Sequence, residues 1–289
     1  MDEVKTDVET AAHNVGEPRS SSDEREVAET TEATEADAPD AVADLPEIQE
    51  MAKAGILFGR KRSVTHPKMR KYVFTTRTGF EIIDLEKTKT QIAKAEEFLR
   101  EVAGTGQSVL FVGTRPEARD LVKAAAEEFN FPFVTQRWLG GTLTNFDSIS
   151  TRINYYIKLK EDQAGGKLDK YKKKERVAME KEAERMDRLF GGLERLERLP
   201  AALIVVSADA HDTAIREAKI KNIPVIVIAN TSANPDMIDY VIPANDTSRA
   251  SITYILAKLT TAIKEGKAKV PAKVAAPEKK EGPANEAVE

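Results

Sequence analysis

Four short apolar runs punctuate the chain: Ser108 to Gly113, Phe131 to Val134, Ala201 to Val206 and Pro224 to Ala229. None alternates apolar with polar positions, which is the signature of strands covered on both faces. Between and beyond them the period changes from two to about 3.6. Ile92, Ala95, Phe98, Leu99 and Val102 predict a helix over Glu86 to Val102, and Ile252, Ile255, Leu256, Leu259 and Ile263 stripe the last one. Helices from Pro116 to about Phe129 and from Asp212 to Lys221 complete the alternation, and Asp239 to Ile242 reads as a further short strand. Apolar strands alternating with amphipathic helices predict a doubly wound, mainly parallel α/β sheet. Thr114 with Glu117, and Thr144 with Asp147, have the spacing of capping boxes at two helix starts.

Two stretches stand outside this alternation. Before it, Leu45 to Ala54 predicts a short amphipathic helix ended by Gly55, and Tyr72 to Phe74 and Phe80 to Asp84 flank Arg77-Thr78-Gly79 as a β-hairpin. Within it, Ile149, Ile153, Tyr156 and Leu159 form one helical stripe and Met186, Leu189, Leu193 and Leu196 a second, separated by Gly165-Gly166 and a Lys-, Arg- and Glu-rich stretch. The reading is an inserted antiparallel helical hairpin of coiled-coil type. The expected organisation is an α/β domain over 46–146 and 199–265, the hairpin over 147–198, and disordered tails at 1–45 and 266–289.

Charge changes the picture more than composition does. Residues 1–50 hold 16 acidic and three basic side chains, and residues 266–289 hold four acidic and five basic. Of the chain's 44 basic and 48 acidic residues this leaves 36 and 28 for residues 51–265, a body of +8 within a chain of −4. Binding responds to the local field, so a partner rich in phosphate is indicated despite the acidic total. The cations concentrate in one run: Arg60, Lys61, Arg62, Lys68, Arg70 and Lys71 follow one another around Pro67 with no carboxylate between them. With Arg77 and Arg137 they are the candidate RNA contacts.

A second candidate is Arg137-Trp138-Leu139-Gly140-Gly141-Thr142-Leu143-Thr144-Asn145-Phe146, which holds the only Trp. A bare-backbone turn between a strand and a helix N-terminus can seat a phosphate, with the indole free to stack. Equally, Trp138, Gly140, Gly141, Thr144 and Asn145 can be a folding junction. Trp138 leans to the core and Arg137 to contact.

Enzyme chemistry finds little support. Gly104-Thr105-Gly106 precedes a strand instead of following it, no phosphate loop exists, and Gly113-Thr114-Arg115 reads as a capped turn as well as an anion site. There is no Cys, and no two of His13, His66 and His211 sit at metal-ligand spacing, so neither metal nor cofactor is expected. His211 beside Asp209 and Asp212 is the best acid/base candidate, without a nucleophile. No apolar run approaches the roughly 18 residues of a membrane span, and no secretory signal is visible, so a cytoplasmic protein is expected.

In series, several motifs resemble the bacterial small-subunit ribosomal protein S-two family. They include Ala54-Gly55-Ile56-Leu57-Phe58-Gly59, His66-Pro67-Lys68-Met69, Ile82 to Thr88, Val109 to Thr114, the Arg137 to Phe146 stretch, Gly191-Gly192, Ala214-Ile215-Arg216-Glu217-Ala218 and Asp239 to Asp246. The resemblance runs from about Ile48 to Gly266. It implies a non-catalytic structural protein of the small ribosomal subunit, in contact with its rRNA and with other ribosomal proteins, ribosomal protein S-one among them in many bacteria. No small-molecule substrate is implied. A nucleotide-binding α/β enzyme is the alternative. The chain departs from the family in having Leu57 and Arg60 where histidines are usual, Ser207-Ala208-Asp209 where Asp-Pro is common, and an added acidic N-terminal stretch.

Overall fold

The computed structural model describes residues 46–166, 170 and 172–269; the acidic stretch 1–45 and residues 270–289 lie outside them. Five strands, β4 (Val109–Val112), β5 (Phe133–Val134), β6 (Ala202–Val206), β7 (Val225–Ala229) and β8 (Tyr240–Pro243), form a parallel sheet in the order β5-β4-β6-β7-β8. Successive side chains leave a strand on opposite faces, so each continuous apolar run fills two cores at once. Val109, Phe111, Ile204, Val206, Ile226 and Ile228 pack on one face with α2 (Leu85–Gly104), α3 (Pro116–Glu128) and α7 (Arg249–Ala268). Leu110, Val112, Leu203, Val205, Val225 and Val227 pack on the other with α6 (Asp212–Ile220) and the inner ends of α4 (Phe146–Ala164) and α5 (Lys173–Phe190). Helices on both faces of a parallel sheet make the doubly wound α/β fold expected.

A second, antiparallel sheet, β1-β3-β2, precedes this unit: β1 (Phe58–Lys61), β2 (Val73–Arg77) and β3 (Phe80–Ile83), after α1 (Pro46–Lys53). The β2–β3 hairpin turns at Thr78 and Gly79, both at positive φ, as two-residue hairpin turns require. The basic run therefore begins as a strand. Its Arg60 and Lys61 have weak strand preference, and pairing with β3 supplies what local propensity does not.

Three local expectations give way to long-range bonds. Thr114 does not cap α3; Arg115 precedes that helix with Pro116 in its first turn, and the Thr114 hydroxyl turns to His211. Thr144 does not cap α4; Asn145 is the flanking residue, without a side-chain cap, and the Thr144 hydroxyl turns to Glu217. The last helix runs past the expected boundary at Glu265 to Ala268 because Lys267 is held: its ammonium donates to the Phe129 carbonyl at 2.9 Å and lies 4.1 Å from the Phe131 ring centroid.

Helices α4 and α5 meet through Tyr156, whose hydroxyl donates to Asp187 at 2.5 Å, and Lys160 of α4 pairs at 2.7 Å with Glu194, which lies beyond the end of α5. The turn after α5, Gly191–Leu193, lies directly against β5. A Cβ on Gly192 would overlap the Phe133 carbonyl oxygen and approach its ring to 2.7 Å. Gly192→Ala is expected to cost about 1–3 kcal/mol through overpacking, measured as a lowered urea midpoint at unchanged slope. A neutral Gly192→Ala would show that this turn is free to withdraw from the sheet.

Candidate nucleic-acid interface

The basic run is pinned from within. After β1 it passes through two 3₁₀ turns, Arg62–Val64 and Pro67–Tyr72, whose Met69 and Tyr72 are buried in the sheet's second core. His66 precedes Pro67 and accepts the Lys68 N–H on Nδ1 at 3.3 Å, which fixes the start of the second turn. With Met69 and Tyr72 inward, Arg62, Lys68, Arg70 and Lys71 are left on the exposed side.

These cations differ in how far they are already matched. Arg60 Nη2 lies 3.0 Å from Asp246 Oδ1, which also accepts from Asn230 Nδ2 at 3.0 Å, while Arg115 Nη1 stands 3.6 Å from the other oxygen. Asp246 is buried and its Oδ1 is matched by Arg60 and Asn230, so Arg60 is tied to the fold. Lys68 meets Asp236 at 2.5 Å with both side chains about half exposed. Such a pair contributes about 0–1 kcal/mol, and a phosphate can exchange for it. Lys61 lies 5.9 Å from the Phe80 ring centroid and Lys71 4.9 Å from that of Tyr72. Arg77 closes β2 on the exposed side. Leu57 packs against the first core, so the two positions that depart from the family's histidines hold a core side chain and an ion-paired arginine.

Arg137 leaves from elsewhere. It is exposed after edge strand β5, whereas the basic run is tied to loops following β7 and β8 at the other edge of the sheet. The run and Arg137 are thus held at different parts of the sheet.

The Gly-Gly turn does seat an anion, and the anion is the protein's own. Buried Glu217, on α6, accepts from Trp138 Nε1 (3.0 Å) and Gly141 N–H (2.9 Å) on Oε1, and from Leu143 N–H (3.0 Å), Thr144 N–H (3.3 Å) and the Thr144 hydroxyl (3.2 Å) on Oε2. Gly141 sits at φ +91°, the left-handed region that lets its N–H face inward. Burial pushes the Glu217 carboxyl up, but the bonds from Trp138 and the three backbone N–H groups outweigh it and hold the group below the ordinary 4.5. Gly140 is exposed, and the Asn145 N–H returns to the Gly141 carbonyl at 2.8 Å. Trp138, Gly141, Leu143 and Thr144 thus tie this turn to α6, and a phosphate seated at the turn would find these donors already filled. The signal in sequence was faint: Glu217 lies on the same helical face as Ala214 and Ala218, an acid within an otherwise apolar stripe.

The crevice where an α/β sheet takes ligands lies at the strand-order reversal between β4 and β6. Here His211 closes it. Its Nδ1–H donates to the Ser207 carbonyl at 2.9 Å, and its Nε2 accepts from the Thr114 N–H at 3.1 Å. Burial, with the Arg115 charge adding to it and the Ser207 carbonyl opposing, holds the imidazole below its ordinary 6.5. Both nitrogens are engaged and the ring is neutral, so the acid/base role does not fit this geometry. Gly113, instead of opening room for a phosphate, is packed on Val122, where a Cβ would stand 2.7 Å from a methyl group. Among the described residues no group of three or more His, Asp or Glu side chains is placed to hold a metal ion, and no helix is long and apolar enough to cross a membrane.

Two pH-linked outcomes follow from these lowered values. The Glu217 contribution is present above pH 4.5 and lost as pH falls through its lower folded value, so Glu217→Ala, expected to cost about 3 kcal/mol or more through orphaned N–H groups, loses part of its disadvantage in acid. Urea midpoints at pH 7 and pH 4 check it. The His211 contribution is present above pH 6.5 and declines below it as the unfolded chain takes up a proton. His211→Asn is expected to flatten that part of the stability–pH curve, and an unflattened curve would contradict the neutral, doubly bonded ring.

Comparison with known proteins gives the family. A family model described as "Ribosomal protein S2" matches residues 51–266. The "Small ribosomal subunit protein uS2" of Roseiflexus castenholzii is 41% identical over 223 residues, covering 77% of this chain and 85% of the relative. That of Dehalococcoides mccartyi is 39% identical over 218 residues, covering 75% and 89%. With most of its length matched, the chain belongs to the ribosomal protein S2 family.

Proposed function

We propose that this chain is a structural constituent of the small ribosomal subunit, cytoplasmic with it, that lies against small-subunit rRNA and neighbouring ribosomal proteins and catalyses nothing. The observation that carries the RNA contact is the pinned basic run: Met69 and Tyr72 fix its backbone while its cations stay outside, so little backbone freedom remains to be lost on docking. Arg62, Arg70 and Lys71 are the primary phosphate contacts, with Lys61, Lys68, Arg77 and Arg137 adding to the field and Arg60 holding the run in place through Asp246. The body is one α/β domain over 46–146 and 199–265. Its insertion, 147–198, is an antiparallel hairpin of α4 and α5, supported by the Tyr156–Asp187 and Lys160–Glu194 bonds and the buried stripe Ile149, Ile153, Tyr156 and Leu159. The hairpin's charged end is where protein neighbours, ribosomal protein S-one among them, would be met.

The triple variant Arg62→Ala/Arg70→Ala/Lys71→Ala tests the contact without touching the fold. Each lost phosphate contact lowers the slope of log affinity against log salt by about 0.7–0.9, so a decrease of about 2 is expected, at unchanged thermal stability. An unchanged slope would remove these residues from the interface. In sucrose gradients of cell lysate the chain is expected in the small-subunit fractions; recovery only as free protein would defeat the assignment.

A further inference from the structure

The outer face of the three-stranded sheet carries aromatic rings that contact with an RNA backbone does not require. Phe58 is 54% and Phe80 46% exposed. Residues directly opposed across an antiparallel pair share a face. Lys61 and Arg77 both stand opposite Phe80, and Phe58 and Thr75 both stand opposite Ile82. One row across the sheet therefore reads Lys61-Phe80-Arg77 and the next Phe58-Ile82-Thr75, with the Lys61 ammonium 5.9 Å from the Phe80 ring centroid. Beside them opens a cleft of about 640 Å³ whose walls combine Phe58, Phe80 and Val64 with Arg115, Asn230 and Thr247 from the carboxyl ends of the parallel strands. Among the described residues a single carboxylate, Asp209, lines it against the three cations Arg60, Lys61 and Arg115.

Duplex RNA conceals the faces of its bases and offers phosphate and ribose. A ring flanked by cations suits the opposite case, an unpaired strand whose bases stack while the neighbouring phosphates meet the charges. We propose that this face takes a single-stranded stretch of RNA, one base on Phe80 and the next on Phe58, with phosphates at Lys61 and Arg77 and a base edge toward the Asn230 side of the cleft. This site rests on the RNA-binding reading above and refines it: the run at Arg62, Arg70 and Lys71 takes backbone of any form, and the Phe58–Phe80 face selects for unpaired strand.

The test compares full-length protein binding to a labelled 12-nucleotide oligouridylate and to a 12-base-pair RNA duplex by fluorescence anisotropy. Phe58→Leu/Phe80→Leu keeps the apolar surface and removes the rings; it is expected to weaken oligouridylate binding about 10-fold or more and to leave the duplex unchanged, while Phe80→Trp retains both. Thermal unfolding confirms that the variants are folded. Unchanged oligouridylate affinity in the double-Leu variant overturns the stacking site. If the triple variant at Arg62, Arg70 and Lys71 still weakens both RNAs in that case, the general RNA surface stands and only the stacking site is lost. Failure of the wild type to bind either RNA defeats the broader reading instead. In assembled subunits, crosslinks from Phe58 and Phe80 to a neighbouring protein with none to RNA also overturn the proposal.

Discussion

The buried Glu217 carboxylate is the constraint on which the rest of the architecture turns. It joins two segments distant in sequence: α6, and the single stretch from the Trp138 indole after β5 to the backbone that leads into α4. Burying a lone carboxylate is unfavourable by several kcal/mol, and here five donors to its two oxygens offset that cost. Because three of those donors are backbone N–H groups, the path of the turn, and not merely its side chains, is set by one acid. The direction in which α4 leaves the sheet is set there too.

Asp246 repeats this logic on the other side of the sheet order. It receives Arg60 from the small sheet and Asn230 from the loop after β7, with Arg115 close by. Each acid satisfies internally a group of donors that, read alone, looks like a phosphate site. Arg62, Arg70 and Lys71, by contrast, are held on the exposed side by the buried neighbours Met69 and Tyr72. The distinction is one of desolvation: an exposed charge keeps its water until RNA displaces it, whereas a buried donor must find its partner during folding. His211 belongs to the same scheme as a neutral member, closing by hydrogen bonds the crevice that α/β enzymes keep open.

Legibility in sequence followed the range of the interactions involved. The parallel sheet was readable because β4, β6 and β7 are buried on both faces and cannot tolerate a polar position. The β2–β3 hairpin was readable from its turn. The candidate interface was legible as a charge run, but not which of its cations were free: Arg60 and Arg62 are two residues apart, yet one faces buried Asp246 and the other solvent. The capping pairs at Thr114 and Thr144 misled because i, i+3 spacing describes a local bond, and each hydroxyl found a partner more than 70 residues away.

Alone, then, the order of residues determined the alternation of strands and helices, the placement of positive charge in the body and the resemblance to a ribosomal family, since each rests on neighbours along the chain. Tertiary structure decided which acids would act as internal anions, that Arg60 and Lys61 would form a strand, and that Phe58 and Phe80 would share one face with Lys61 and Arg77. Those outcomes depend on hydrogen bonds and registers between segments up to 186 residues apart, and no local pattern encodes the partner at such a distance.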